Sequence, residues 1–247
     1  MRATRILMGM PITIEVVDAP DDAILEAAFE HFATVDRRFS TYRPDSEIEA
    51  INSGRLTERD YSDEMKEVLA LADRTRRETR GFFDIRTAGG SLDPSGIVKG
   101  WAIRNAAAIV AGAGMHDFYV DAGGDIQSSG RNASGSAWSV GIRNPFNPAE
   151  IIKVVHPRGH GLATSGTYVR GQHIYNPHAP GHPIDEIVSL TVIGPDVLEA
   201  DRFATAAFAM GAEGIYFIEE TPGLEGYVVD QHGMATLTAG FADYCTP

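Results

Sequence analysis

Four short runs of small and polar residues, set in one order along the chain, constrain this protein more than any other feature of its sequence. Leu92-Asp93-Pro94-Ser95-Gly96-Ile97-Val98-Lys99-Gly100 comes first, Asp121-Ala122-Gly123-Gly124-Asp125 second and Ala163-Thr164-Ser165-Gly166 third, and the pair Asp201 and Thr205 closes the series. Glycines let backbone amides approach a bulky anion, and nests of such amides hold phosphate oxygens. Asp201 and Thr205 stand four residues apart, so on a helix they share one face and suit a single hard cation. The series predicts a metal-assisted site for a phosphate-containing ligand.

The segments between these runs read as strands and helices without strict alternation. Residues 3–17 alternate as a strand pair, or one long strand broken near Gly9. Asp18 to Asp22 open a helix carrying Leu25, Ala28, Phe32, Val35 and Phe39 at helical spacing. A short element with Ile48 and Ile51 follows Pro44-Asp45-Ser46, and Ser62-Asp63-Glu64 starts a long helix with Met65, Val68, Leu69, Ala72 and Thr75 inward. Gly81–Ile85 reads as a short strand, and Gly96 opens a third helix through Trp101, Ala106 and Val110. Strands are expected near 118–120, 138–142, 151–156 and 187–193, with loops over 157–184, a helix over 200–210 and a hairpin over 227–237. The expected fold is therefore α+β, with mixed or antiparallel sheets and packed helices. It is read as one domain over 1–247, with two closely packed lobes as the alternative.

Composition removes several classes of function. The chain has 247 residues, enough for a sizeable core, and a net charge of −13, which disfavours a nucleic-acid or anionic-membrane surface. An acidic protein must therefore hold an anion locally, with amides, a few cations and a metal. One cysteine, Cys245, precludes a disulfide within the chain. No run is long enough to span a bilayer, and the start lacks a signal peptide or lipobox, so a cytoplasmic location is expected. No GxGxxG follows a strand and no Gly-x-Ser-x-Gly elbow is present, which disfavours a Rossmann fold and an ordinary serine hydrolase. His156, His160, His173, His178 and His182 crowd one region, but at no zinc-binding spacing.

Each motif alone has an ordinary explanation. The Asp201–Thr205 spacing fits a helix-start acid beside a buried threonine. Gly96 to Gly100 fits an anion site at a helix N-terminus or a glycine turn with a solvated lysine in about equal measure. Paired glycines such as Gly123-Gly124 most often mark a tight turn. Tyr42 could stack on a ring system or cap the core.

The order of the motifs is the specific signal. The chain resembles the FAD:protein FMN transferase (ApbE) family from Met8-Gly9-Met10-Pro11 to the 201–211 segment. Phe39-Ser40-Thr41-Tyr42-Arg43-Pro44-Asp45-Ser46-Glu47-Ile48, residues 92–102 and Trp138-Ser139-Val140-Gly141-Ile142-Arg143 are among the pieces that carry the likeness. The resemblance implies a Mg²⁺ enzyme that cleaves FAD and moves FMN onto a threonine or serine of an acceptor flavoprotein, releasing AMP. It also admits FAD pyrophosphatase activity, or a catalytically weak flavin-delivery protein. It implies that Met8 and Tyr42 flank the flavin ring, with Ile187 a weaker contact. It assigns Phe82, Phe83 and Asp84 to the adenosine-side wall, and Asp93 and Lys99 to FAD. The Gly96 carbonyl, Asp201 and Thr205 would hold Mg²⁺, and His173 would stand beside the reacting phosphate. The chain departs from the pattern at Asn176, Thr167 and Arg104, and the stretch between Asp84 and Leu92 is short. That short wall makes a homodimer an expected arrangement.

Overall fold

The computed structural model describes residues 1–87, 89–167 and 174–245. The first strand pair is β1 (Arg2–Leu7) and β2 (Met10–Val16), in register from Arg2↔Glu15 to Leu7↔Met10. Met8 and Gly9 join them with φ of 51° and 72°. Two successive positive φ values give the turn whose twist matches that of a hairpin. The break expected near Gly9 is this turn.

Four helices follow. In α1 (Ala23–Phe39) the buried stripe is Leu25, Ala28, Phe29, Phe32, Val35 and Phe39. Asp22 makes no side-chain cap there, and Asp21 Oδ1 accepts the Ala23 amide instead. Ser46 caps α2 (Glu47–Asn52) and Ser62 caps α3 (Asp63–Glu78), each hydroxyl accepting the amide three residues on. The central helix is α4 (Ser95–Gly112), apolar around most of its circumference and therefore buried. Gly81–Ile85 is not a strand. Gly81, at φ 84°, ends the α3 turn, and Thr79 Oγ1 accepts the Phe83 amide, so the segment stays coiled beside the helix end.

The rest of the sheet comes from β3 (Phe118–Ala122), β4 (Asp125–Ser129), β7 (Gly161–Gly166), β8 (Ile187–Gly194), β9 (Glu225–Asp230) and β10 (Ala235–Leu237). Between β4 and β7, β5 (Val140–Arg143) and β6 (Ile151–Val155) form a separate antiparallel pair. Between β8 and β9 lie α5 (Val197–Ala209) and α6 (Gly214–Glu220). The large sheet runs β1-β2-β3-β4-β7-β8-β9-β10 and every pairing is antiparallel. The expected α+β class is what the molecule has. β7 falls inside the stretch expected to be loop, because its glycines, alanine and serine carry little strand propensity and the strand is held by β8 along its length and by β4 at Gly161 and Leu162.

The topology contains a duplication that the residues do not display. Hairpin β1–β2, helices α1–α4 and hairpin β3–β4 are followed by hairpin β7–β8, helices α5–α6 and hairpin β9–β10, each half keeping its strands in chain order. One hydrophobic cluster packs α1, α3 and α4 on the first half, and another packs α5 and α6 on the second. A third lies under β5–β6 and the C-terminal turn around Phe241. The halves meet at β4–β7, which pair at only two positions, Ile126↔Leu162 and Gln127↔Gly161. Beyond those two pairs the strands part, and the gap between them holds the site.

Candidate active site

A cleft of about 650 Å³ opens at this seam. One side is built by Gly9, Met10, Gly123 and Gly124 at the tips of the first-half hairpins, and the other by Thr164, Ser165 and Gly166 of β7. Its floor is the crossing of α4 over α5. That crossing is close because Gly100 has no side chain. A Cβ there would lie 2.8 Å from Asp201 Cβ and 3.0 Å from Leu198 Cα. Gly96 repeats the device one turn earlier, where a Cβ would meet Phe83 at 3.2 Å and Thr205 Cγ2 at 3.3 Å. The glycines of the first motif thus bring the first turn of α4 onto Asp201 and Thr205.

The polar centre is a chain of charges across the seam. Gly100 N–H donates to Asp201 Oδ2 at 2.8 Å, and Asp201 Oδ1 lies 3.5 Å from Lys99 Nζ. The same ammonium is 2.5 Å from Asp125 Oδ2. Asp125 Oδ1 accepts the Thr164 amide at 3.0 Å, so a side chain replaces the ladder bond where β4 and β7 separate. Asp121 Oδ1 accepts the Gly124 amide at 2.8 Å and fixes the glycine turn. Burial pushes the Asp201 carboxyl up to about 7, against the pull of Lys99 and with the help of the Asp125 charge. Burial, and then the Asp125 charge, also raise Asp121. Asp125 and Asp201 therefore share one ammonium, with Asp121 nearby, in a place that disfavours negative charge.

This imbalance fits a hard cation. Asp201 has a buried carboxylate facing the cleft, and Thr205 and Gly96 line the same cleft beside it. Among the described residues no group of three His, Cys, Asp or Glu side chains is poised around a metal. A cation here would draw on one carboxylate, a hydroxyl, a carbonyl and the oxygens of a ligand, which is the habit of Mg²⁺ at phosphates.

Phe82, Phe83, Asp84 and Asp93 line the cleft as well. Asp84 is held by Arg76 at 2.8 Å, and Asp93 accepts the Ser95 amide at 3.0 Å, shaping the start of α4. Asn52 clamps the same loop by exchanging two hydrogen bonds with the Leu92 backbone, at 2.8 and 3.0 Å. Three predicted contacts are not brought to the cleft. Tyr42 is 95% exposed on the turn after α1, with nothing packed to hold its ring. Met8 sits half-buried at the hairpin turn, where its positive φ serves the reversal, while Gly9, Met10 and Pro11 face the cleft. Ile187, 3% exposed, is taken into the core under α5. His173 lies outside the described residues. Ile174, Tyr175 and Pro177 line the cleft, and Tyr175 Oη donates to Arg86 O at 3.2 Å. Asn176 Oδ1 accepts the His178 amide at 2.9 Å, a turn-forming bond that an aspartate would make equally.

Asp125 and Tyr175 are the residues that reading the sequence did not single out for roles. Asp125 was visible as the last member of the second motif, but its partner Lys99 lies on α4 and the pairing needs the fold.

An antiparallel sheet split at a seam, with a glycine-lined cleft over two crossed helices, defines an α+β protein whose cleft carries buried carboxylates and a lysine. A model of the ApbE family matches residues 8–89 and 85–228. The chain belongs to the ApbE family. The FAD:protein FMN transferase of Escherichia coli K12 is 32% identical over 152 residues, covering 58% of this chain and 43% of that protein. The one from Vibrio cholerae is 33% identical over 132 residues, covering 49% and 39%. The matched stretch thus spans less than half the length of these curated relatives. The solved flavin transferase ApbE from Vibrio cholerae superposes with a TM-score of 0.86 at 22% identity, covering 99% of this chain and 98% of that one. The ApbE protein from Thermotoga maritima does so with a TM-score of 0.86 at 20% identity, covering 100% and 99%. These likenesses show the fold.

Proposed function

We propose that this chain transfers FMN from FAD to a threonine or serine hydroxyl of an acceptor flavoprotein, with release of AMP. The observation that carries this reading is the Asp125–Lys99–Asp201 chain, whose Lys99 and Asp201 line one cleft together with Gly96, Gly123 and Gly124. The names borne by its relatives in the family support the same reading. In the reaction the acceptor oxygen bonds to the FMN phosphorus, the bond from that phosphorus to the bridging oxygen breaks, and AMP leaves with that oxygen. The hydroxyl proton needs a base, and the resemblance nominates His173. Asp201, Thr205 and the Gly96 carbonyl are the residues that would hold Mg²⁺, which when bound neutralises charge on the phosphate oxygens. Lys99 supplies a fixed positive charge beside them, and the turn at Gly123 and Gly124, with no side chains, leaves the same space open. Phe82 and Phe83 offer apolar rings to a nucleotide base.

Among the described residues no helix is long and apolar enough to cross a membrane. A cytoplasmic location and a homodimer remain part of this proposal and rest on the sequence reading alone.

The test is product analysis with FAD, Mg²⁺ and a threonine-bearing acceptor, with EDTA as control. Protein-bound FMN together with AMP, both dependent on metal, is the expected result. AMP with free FMN in the presence of acceptor assigns a pyrophosphatase, in which water takes the place of the hydroxyl. Intact FAD bound to the protein in every tube overturns both enzyme readings.

A further inference from the structure

One strand at the mouth of the cleft has an uncovered edge. β6 is the only strand paired with β5 among the described residues, and β5 lies outside the large sheet. All four residues of β5, Val140, Gly141, Ile142 and Arg143, line the cleft, whereas no residue of β6 does. The cleft therefore runs along the side of β5 that β6 leaves open.

The backbone on that side is unused. Along an antiparallel strand, successive residues turn their N–H and C=O to opposite sides. His156 N–H donates to Tyr244 O at 2.7 Å, away from β5, so Val155 and Lys153 turn toward β5 and pair with Val140 and Ile142. At the other end Asn144 N–H donates to Glu150 O at 2.8 Å, which gives the same phase across the irregularity after Ile142. Gly141 and Arg143 are left turning their amides and carbonyls to the open edge. Both residues are exposed, and their backbone groups have no hydrogen-bond partner on that side among the described residues. Side-chain alternation agrees: Val140 and Ile142 point into the core, and Gly141 offers no side chain. Edge strands elsewhere are blunted with lysines, prolines or covering loops, because an open edge recruits another strand.

We infer that β5 is the docking strand for the acceptor polypeptide. An extended segment of the acceptor adds to the open edge at Gly141 and Arg143, and this lays its threonine or serine along the cleft. The occupant is a polypeptide rather than the nucleotide because the edge presents donors and acceptors in strict alternation, which an extended chain matches residue for residue and a phosphate does not. β5 and Asp201 also line the same cleft, so a segment docked on the edge shares the space beside Asp201. The inference rests on the transferase reading.

The experiment uses the wild-type protein with FAD, Mg²⁺ and a synthetic threonine peptide from a covalent flavoprotein, made as a set singly N-methylated at successive backbone positions. Methylation removes one donor and blocks one edge contact. The expected outcome is a two-residue period: FMN transfer falls about tenfold or more when an edge-facing amide is methylated, and changes less than about twofold at the intervening positions. Hydrogen exchange at Gly141 and Arg143 should slow when the unmethylated peptide is added, and not with FAD alone. A methylation profile without the period overturns the inference while leaving transfer itself standing. Protection of both amides by FAD alone assigns the edge to the nucleotide and also overturns it. Failure of every acceptor, peptide or protein, to take up FMN removes the transferase reading and this inference with it.

Discussion

Asp201 carries a tight constraint in the cleft, since it is 3% exposed and, among the described residues, the Gly100 amide and a shared ammonium offset its charge. Its carboxyl is raised to about 7 by burial, whereas an unfolded aspartate titrates near 3.8. Between those values the metal-free native state holds a proton that the unfolded chain has lost. The stability contributed by the protonated form is therefore complete below pH 4 and is lost as pH rises through 7. Asp201→Asn removes this dependence. The melting temperature of the metal-free variant, relative to wild type, should climb from pH 5 to pH 8. A difference that stays flat across that range would show that Asp201 is already ionised at pH 5. Lys99 has a second meaning at this scale: it is tied to Asp125 and Asp201 rather than pointing freely at a ligand.

At the scale of elements, the crossing of α4 over α5 decides whether a site exists. Gly100→Ala puts a methyl group 2.8 Å from Asp201 Cβ and 3.0 Å from a backbone carbon of Leu198. Neither neighbour is a flexible side-chain tip, so the helices must move apart, at about 1–3 kcal/mol. Gly112→Ala is the matched control, because nothing lies within 4 Å of that position on the same helix. It should stabilise by about 0.5 kcal/mol through helix propensity, while Gly100→Ala destabilises and slows FAD turnover more than about tenfold. Urea titration and turnover of the two variants check this, and equal behaviour would mean that the crossing tolerates a side chain. Element starts were well marked where a cap is local: Ser46 and Ser62 both bond the amide three residues on. The start of α5 was misread as Ala200, although Asp196 caps it and Glu199 stands at the matching third position.

At the scale of the molecule, the two halves share one sheet but pair across the seam at only two positions. Asp201 and Thr205 belong to the second half, and Gly96 and Lys99 to the first. A cation held among them ties the halves together, so it should bind the folded chain alone. Mg²⁺ at about one hundred times its dissociation constant would then add about 2.7 kcal/mol. The melting temperature should rise with Mg²⁺ in the wild type and stay unchanged in Asp201→Ala. A rise of equal size in both would place the cation elsewhere.

The sequence alone determined the fold class, the helices with a polar cap and an apolar stripe, and the small-residue motifs that mark the site. Those signals are local: a hydroxyl and an amide three residues apart, or a period of hydrophobic side chains, act within one turn or strand. Only the tertiary structure decided which residues meet. β7 was invisible because Ala163, Thr164 and Ser165 become a strand by pairing with Val192, Thr191 and Leu190 of β8, not through a local pattern. Asp125 gained its part in the site from Lys99, 26 positions earlier, and from the Thr164 amide, 39 positions later. Tyr42 kept its motif and yet stands in solvent, since a motif records chemistry while placement depends on what packs against the ring. The open edge of β5 likewise follows from its pairing with β6 outside the large sheet, a consequence of strand order that no window of residues contains.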